Sequence, residues 1–279
     1  MNKNKHIKIF VFCSFFICIC LTGCVDYYEY ATGGEDENVS FFEKANNTTV
    51  LSIANWNLQV FGPSKASNDT LLRYYADHID DYDIIVIQEI RDASGVAIEK
   101  LAMQLPEYEY VISKRAGQSI SKEQYAVFYN HRVNITSIYD YTNEYQNQIN
   151  RPPFQIVFTA DNWTFSLYTI HTDPDEVDAE LSIVETILSN ETTDIILIGD
   201  LNADGIYYDE DNINHFRTWH WVIPNQVDTT VALSNNTYDR IIVNEEAIDN
   251  VLEYGIMNSV AKVQSDHYLI YALFDSSRS

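Results

Sequence analysis

Ile195-Ile-Leu-Ile-Gly-Asp-Leu-Asn-Ala-Asp204 is a dry apolar run that breaks into acids and amides at its carboxyl end. Such a run reads as a strand buried on both faces. Asp200, Asn202 and Asp204 are hard oxygen donors suited to a divalent cation such as magnesium, which keeps waters that a phosphate can displace. The segment therefore points to metal-assisted phosphoester hydrolysis. An ordinary strand-to-loop transition built from Asx turns is the competing explanation.

The same pattern occurs earlier in the chain. Asp83-Ile-Ile-Val-Ile-Gln-Glu89 is a near-copy of Asp194-Ile-Ile-Leu-Ile-Gly-Asp200, and each is preceded by a helical pattern and ends in an acid. Outward from these two runs, hydrophobic periodicity predicts strands over Leu51–Leu58, Tyr110–Ser113, Tyr125–Tyr129, Phe154–Thr159, Phe165–Ile170, Arg240–Val243 and Tyr268–Phe274. Helices are expected over Thr70–Ile79, Gly95–Gln104 and Val177–Leu188. Helix, strand, acid twice in one chain implies two α/β halves whose dry strands face each other, with their acids meeting at one rim.

The first 23 residues stand apart from this pattern. Lys3, Lys5 and Lys8 precede an apolar run from Ile9 to Ile19 that is too short to span a membrane and has the layout of an export signal. Leu21-Thr-Gly-Cys24 resembles a bacterial lipobox, which implies cleavage before Cys24 and lipidation of that cysteine. The expected organisation is a signal peptide over 1–23, an acidic tether over 24–49 and one catalytic domain over 50–279. The protein is thus expected to be exported, then lipid-anchored to the outer face of a bacterial membrane or secreted. All four cysteines, Cys13, Cys18, Cys20 and Cys24, lie at or before the processing point, so the mature domain can form no internal disulfide.

Charge opposes one substrate class. The net charge of −24 deepens to −27 once three leader lysines are removed, whereas nucleic-acid binders usually carry a basic footprint. A local basic patch or a bound cation can reverse the field within a Debye length of about 8 Å. Net charge alone therefore does not exclude a nuclease.

Strand ends gather the remaining chemistry. Asn57, Glu89 and His171 leave the carboxyl ends of three predicted strands, Asp239 opens another, and Asp266-His267 precedes the last. Singly, each has a structural explanation, such as a surface histidine or a turn acid. Together they resemble the endonuclease/exonuclease/phosphatase superfamily, and more closely the pancreatic-type deoxyribonucleases. The resemblance runs from about Leu51 to Phe274. It is carried by Ile53-Ala-Asn-Trp-Asn-Leu-Gln-Val-Phe-Gly62, Ile87-Gln-Glu-Ile-Arg-Asp92, Trp221-Val-Ile-Pro224, Asp228-Thr-Thr230, Tyr238-Asp-Arg-Ile-Ile-Val243 and Ser265-Asp-His-Tyr268.

That resemblance implies an α/β (α+β) fold, a four-layer sandwich of two packed mixed β-sheets flanked by helices. It implies Glu89, Asp266, Asp200 and Asn57 around a magnesium or manganese ion, with Asn202 among the polar groups at metal and phosphate. His171 and His267 match the two catalytic histidines, with Glu123 and Asp239 as their carboxylate partners, and Arg91 and Arg151 match positions that contact substrate phosphates. The expected reaction is in-line attack of water on a DNA phosphodiester without sequence specificity, by a monomer, on single- or double-stranded DNA. His267 with Asp239 is the preferred general base, with Asp200 a competing group for positioning water.

Three departures qualify the match. Gly205 and Asn236 stand where a family cysteine pair would sit, Gln59 replaces a groove-reading arginine, and Ser121 replaces a tyrosine. Asp228 and Thr230 retain the look of a structural calcium site, although Ala232 offers only its carbonyl. Two alternatives stay open at this stage. One is a phosphomonoesterase or a sphingomyelin- or phosphoinositide-cleaving member of the same superfamily, and the other is a non-catalytic surface binder.

Overall fold

The computed structural model describes residues 49–278 other than 213. The leader, Cys24 and the tether up to residue 48 lie outside the described residues. In chain order the elements are β1 (Val50–Phe61), α1 (Pro63–Ala66), α2 (Asp69–Ile79), β2 (Ile84–Ile90), α3 (Val96–Ala102), β3 (Tyr108–Ile112), β4 (Gln124–Asn130) and β5 (Asn134–Asp140). Then come α4 (Thr142–Tyr145), β6 (Phe154–Ala160), β7 (Trp163–His171), α5 (Val177–Leu188), β8 (Asp194–Asp200), β9 (His220–Trp221), β10 (Asp239–Val243), β11 (Val251–Met257) and β12 (Leu269–Asp275).

The strands form two six-stranded mixed sheets, ordered β11-β12-β1-β2-β4-β3 and β5-β6-β7-β8-β10-β9. Each sheet is centred on a parallel pair, β1 with β2 and β7 with β8, and its other pairings are antiparallel. The two near-copy runs are thus β2 and β8, one at the heart of each sheet. Both are buried on both faces, which explains why their sequences are apolar without alternation.

Three apolar cores define four layers. Between the sheets pack Leu51, Ile53, Ile84, Val86, Phe165, Leu167, Ile196, Ile198, Ile241 and Val243. Behind the first sheet, α2 lays Leu72, Tyr75, Ala76 and Ile79 against Trp56, Ile85 and Ile87. Its start is fixed by Asn68, whose side chain accepts from the amides of Thr70 and Leu71 at 3.1 Å. Behind the second sheet, α5 sets Leu181, Val184 and Leu188 on Tyr168, Ile170 and Leu197. Helix, sheet, sheet and helix follow in order, as the resemblance implies.

Three strands escaped the periodicity, the two-residue β9 being too short to show any. β5 and β11 are edge strands with largely exposed side chains, so neither carries an inward apolar row. Gly199 shows the tightest backbone approach. A Cβ there would lie 1.9 Å from the carbonyl oxygen of Ile170, so only glycine lets β8 sit at this register beside β7.

Candidate active site

The inward face of each central strand changes from apolar to polar toward one rim. On β1 the row reads Leu51, Ile53, Asn55, Asn57; on β2 it is Ile84, Val86, Gln88; on β7, Phe165, Leu167, Thr169, His171; on β8, Ile196, Ile198, Asp200. The antiparallel β10 runs the other way, from Asp239 to Ile241 and Val243. Register aligns the ends, since His171 pairs with Asp200 and Asp200 with Asp239 across β7, β8 and β10. Three chemically active side chains therefore stand abreast on one sheet, facing Asn57 on the other.

Glu89 breaks the alternation and reaches the same rim by a backbone device. Position 89 follows the inward Gln88 and belongs by parity to the outer face of β2. Its φ of 60° places it in the left-handed region, and the register shifts there. Gln59 (φ 45°), Val60 (φ 55°) and Asn202 (φ 47°) share that conformation, which costs non-glycine residues of order 1–3 kcal/mol each. Val60 is β-branched, a rare occupant of this region. Its amide donates to Glu89 Oε2 at 2.8 Å, so one strained residue holds another in place.

Two imidazoles face one another across Asp200. His171 Nδ1 lies 2.6 Å from Glu123 Oε1, and His267 Nδ1 lies 2.7 Å from Asp239 Oδ2. Both Nε2 atoms come within 3.4 Å of Asp200 Oδ2. Each ring is thus gripped by a carboxylate through one nitrogen and presents the other to a common point. The backbone is fixed too: Trp56 Nε1 donates to the carbonyl of His267, and the His171 amide donates to the Tyr125 hydroxyl.

Electrostatics follow from this enclosure. Burial alone would lower the His267 imidazole, but Asp239 and Asp200 outweigh it and push it up to about 10. Burial pushes the Asp239 carboxyl up to about 6, against the opposing pull of His267. His171 is also raised, because Glu123 and Asp200 more than offset desolvation and the opposing Arg151. Asp200 and Glu123 are both held below the usual carboxylate range despite burial, Asp200 by the two histidines and Glu123 by His171, Arg151 and Arg91.

Asn57 joins the acids. Its Nδ2 donates to Glu89 Oε1 at 3.2 Å and to Asp200 Oδ2 at 3.0 Å, while its oxygen accepts from the Gln59 amide. As placed, it bridges two carboxylates, and its oxygen, with one lone pair taken by the Gln59 amide, keeps a second for a cation. The Asp204 carboxylate accepts from the amides of Gly205 and Thr237, tying together the two ends of the loop that follows β8. Asn202 donates to the Thr172 carbonyl at 3.1 Å, and its amide donates to Asp200 Oδ1 at 3.2 Å, beside the site. Asp266 is tied through Oδ2 to Gln59 Nε2 at 2.7 Å, while its Oδ1 is buried without a hydrogen-bond partner.

An oxygen-only set of Glu89 and Asp266 with a free buried acceptor fits a hard divalent cation. Asp200, Asp239 and His267 also lie close enough to hold an ion. We favour the first set, because the Asp239–His267 contact consumes one ligand atom from each partner.

The two arginines differ. Arg151 donates to the carbonyls of His171 and Thr172 and lies 3.3 Å from Glu123, so it clamps the backbone beneath His171 instead of reaching outward. Arg91 sits 3.0 Å from Glu89 and 3.4 Å from Glu123, donates to Ser121, and is more exposed. Both lie beside Glu123 at the rim, and Arg91 is the more open of the two to a phosphate.

The loop after Asn202 is secured without a disulfide. Gly205 and Asn236 do face each other, a Cβ on Gly205 falling 2.9 Å from the Asn236 side chain. Buried Arg240 holds the loop instead, donating to the carbonyls of Ile223 and Ala203 and to Asn225, with its guanidinium 5.2 Å from the Trp221 ring centroid. Asp228 Oδ1 accepts from the Thr230 amide and hydroxyl, and the hydroxyl also reaches the Ser234 carbonyl, forming a compact oxygen-rich turn. Sequence inspection missed Tyr125, Thr229, Ser265 and Asn55, whose polar atoms steady the catalytic layer from below. For Tyr125 on β4 and Asn55 on β1 the signal is strand parity, a polar atom at an inward position of an otherwise apolar row, whereas Thr229 and Ser265 lie in loops and carry no such signal.

The model of the Endonuclease/Exonuclease/phosphatase family matches residues 54–267. Deoxyribonuclease-1 of Bos taurus is 31% identical over 253 residues, covering 78% of this chain and 90% of that protein. Among solved structures, the Bacteroides thetaiotaomicron mannosyl-6-phosphatase aligns with TM-score 0.59 and 17% identity, over 80% of this chain and 98% of that one. TDP2 of D. rerio complexed with a single-strand DNA product aligns with TM-score 0.60 and 15% identity, over 81% and 99%.

Proposed function

Because the chain belongs to the endonuclease/exonuclease/phosphatase family and is a nuclease-like phosphoester hydrolase, we propose that it is a non-sequence-specific endodeoxyribonuclease requiring magnesium or manganese. The observation that carries this proposal is the pair of carboxylate-gripped histidines whose Nε2 atoms converge to 3.4 Å from one oxygen of Asp200. In-line displacement at phosphorus needs a base on one side of the phosphoryl group and a proton donor on the other. Two imidazoles around a common point meet that requirement. The non-catalytic binder falls away with family membership.

His267 is assigned the base and His171 the proton donor; with His267 pushed up to about 10 in the cation-free site, its unprotonated form requires the positive charge of a cation at the neighbouring Asp266 to lower that value, and the rate should rise with pH. Asp239 is wholly buried and gives one oxygen to His267, holding that ring in a single tautomer. Glu123 shares its charge between His171, Arg151 and Arg91, which weakens its support for basicity and suits His171 to giving a proton. Asp200 orients water beside both rings, Asn57 keeps Glu89 and Asp200 in register, and Arg91 receives a phosphate oxygen. Glu89 and Asp266 would hold the cation, which supplies positive charge to the phosphoryl oxygens when bound.

The test is plasmid nicking with magnesium beside hydrolysis of a phosphomonoester, sphingomyelin and a phosphoinositide. Nicking that chelation abolishes and that His171→Ala or His267→Ala lowers by at least ~10²-fold is expected. The net charge of −24 favours the alternative of a small or lipid phosphoester, and faster turnover of one of these would replace DNA as the substrate. We further propose that the enzyme acts as a monomer and is exported and anchored through a lipidated Cys24. Cys24→Ser should move it from the membrane to the soluble fraction.

A further inference from the structure

Directly beneath the catalytic layer lies a second polar layer that no step of the proposed reaction uses. Asn55 on β1, Gln88 on β2 and Thr169 on β7 are each 0% exposed, set between the sheets among Ile53, Val86, Leu167 and Ile198. Asn55 Nδ2 donates to Asp239 Oδ1 at 3.2 Å. Gln88 Nε2 donates to Asn55 Oδ1, and it also reaches Thr169 Oγ1 at 3.3 Å. The chain of bonds thus runs from one sheet to the other and ends on the carboxylate that grips His267.

Placing amides in an otherwise apolar core weakens the core unless each group finds a partner, and Gln88 Oε1 finds none. Apolar side chains at these three positions would pack with neighbours that are already apolar. The layer therefore has a cost that packing does not explain. What it accomplishes is directional: Asp239 spends Oδ2 on His267, and Asn55 takes Oδ1, so the carboxylate plane is pinned at both oxygens. Gln88 in turn pins Asn55, selecting the amide orientation that presents nitrogen to Asp239.

We propose that Asn55, held by Gln88, is a positioning residue that orients the Asp239–His267 pair. Among the described residues no side-chain amide supports Glu123 from beneath in this way, since Arg91 and Arg151 hold it and its Oε2 has no hydrogen-bond partner, so the support is specific to one histidine's carboxylate. The proposal rests on the catalytic role assigned to His267.

A double-mutant cycle in the full-length protein tests it by plasmid nicking. Asn55→Ala should lower kcat about tenfold with KM for DNA changed less than twofold, and Asn55→Ser, which keeps a short donor, should recover part of the loss. In a His171→Ala background Asn55→Ala should cost the same tenfold, whereas in a His267→Ala background it should cost nothing. Gln88→Leu, which leaves Asn55 in place, should give a smaller fall and serves where Asn55→Ala does not fold. Unchanged kcat in both Asn55→Ala and Gln88→Leu, or equal losses in the two histidine backgrounds, would overturn the proposal. If His267→Ala itself left activity intact, the assigned role of His267 would fail instead.

Discussion

Replacing Asn57 with alanine should make the protein's stability depend on magnesium more steeply than it does in the wild type. Asn57 Nδ2 donates to Glu89 at 3.2 Å and to Asp200 at 3.0 Å, so those two carboxylate oxygens lie within about 6 Å of each other. Two negative charges at that distance repel by roughly 3 kcal/mol at an effective dielectric of 20. The amide's two hydrogen bonds to charged acceptors add about 1.5–3 kcal/mol each. Glu89 is 12% exposed and can turn partly toward water, so a net loss of about 2–4 kcal/mol is expected. At 2–4 °C per kcal/mol for a domain of this size, Asn57→Ala should melt roughly 5–15 °C below wild type in chelator. Magnesium opposes the same repulsion, so saturating amounts should close at least half of that gap. The measurement is thermal unfolding of both proteins across a magnesium titration. Equal magnesium-induced shifts in the two proteins would refute the role given to Asn57, as would identical melting in chelator.

Glu123→Gln keeps an acceptor for His171 but removes its charge, so the rate should fall about tenfold, the difference between a charge-assisted and a neutral hydrogen bond of roughly 1–1.5 kcal/mol. An unchanged rate would show that His171 does not depend on Glu123. His267 is pushed up to about 10 in the folded chain, above its ordinary 6.5, so its contribution to stability is complete below about pH 6.5 and is lost as pH rises through 10. In chelator, the melting temperature of wild type should therefore fall more between pH 6.5 and 10 than that of His267→Gln, and parallel curves would contradict the shift. Asp228→Ala should lower the melting temperature in calcium and abolish its calcium dependence, and an unaltered calcium response would remove the proposed structural site.

Much of this arrangement was legible in sequence for a physical reason. β2 and β8 are buried on both faces and cannot hide their apolar runs, and the acids that end them sit where the sheets part. The edge strands β5 and β11 were not legible, because exposed strands carry no inward row to recognise. Glu89 is legible as the acid that ends a dry strand, whereas strand parity would send it to the wrong face of its sheet. Only the left-handed φ brings it back, and such backbone reversals leave no mark in residue type when they occupy Gln, Val, Glu and Asn. Asp204 and Arg151 show a limit of residue type, since a carboxylate or guanidinium that satisfies backbone groups has the same composition as one that binds a cation or phosphate.

Arg240 and its partners do by hydrogen bonding what a covalent crosslink could do for the loop between Ala203 and Tyr238. Cys24 is the last cysteine in the chain, so everything from Val25 onward lacks thiols altogether. Maturation of the described domain then needs no oxidase or disulfide isomerase, and no thiol–disulfide exchange can set its folding rate or scramble its pairings. A domain made in a reducing cytosol and one made in an oxidising compartment should be the same molecule, with the same melting temperature in millimolar reductant as without it.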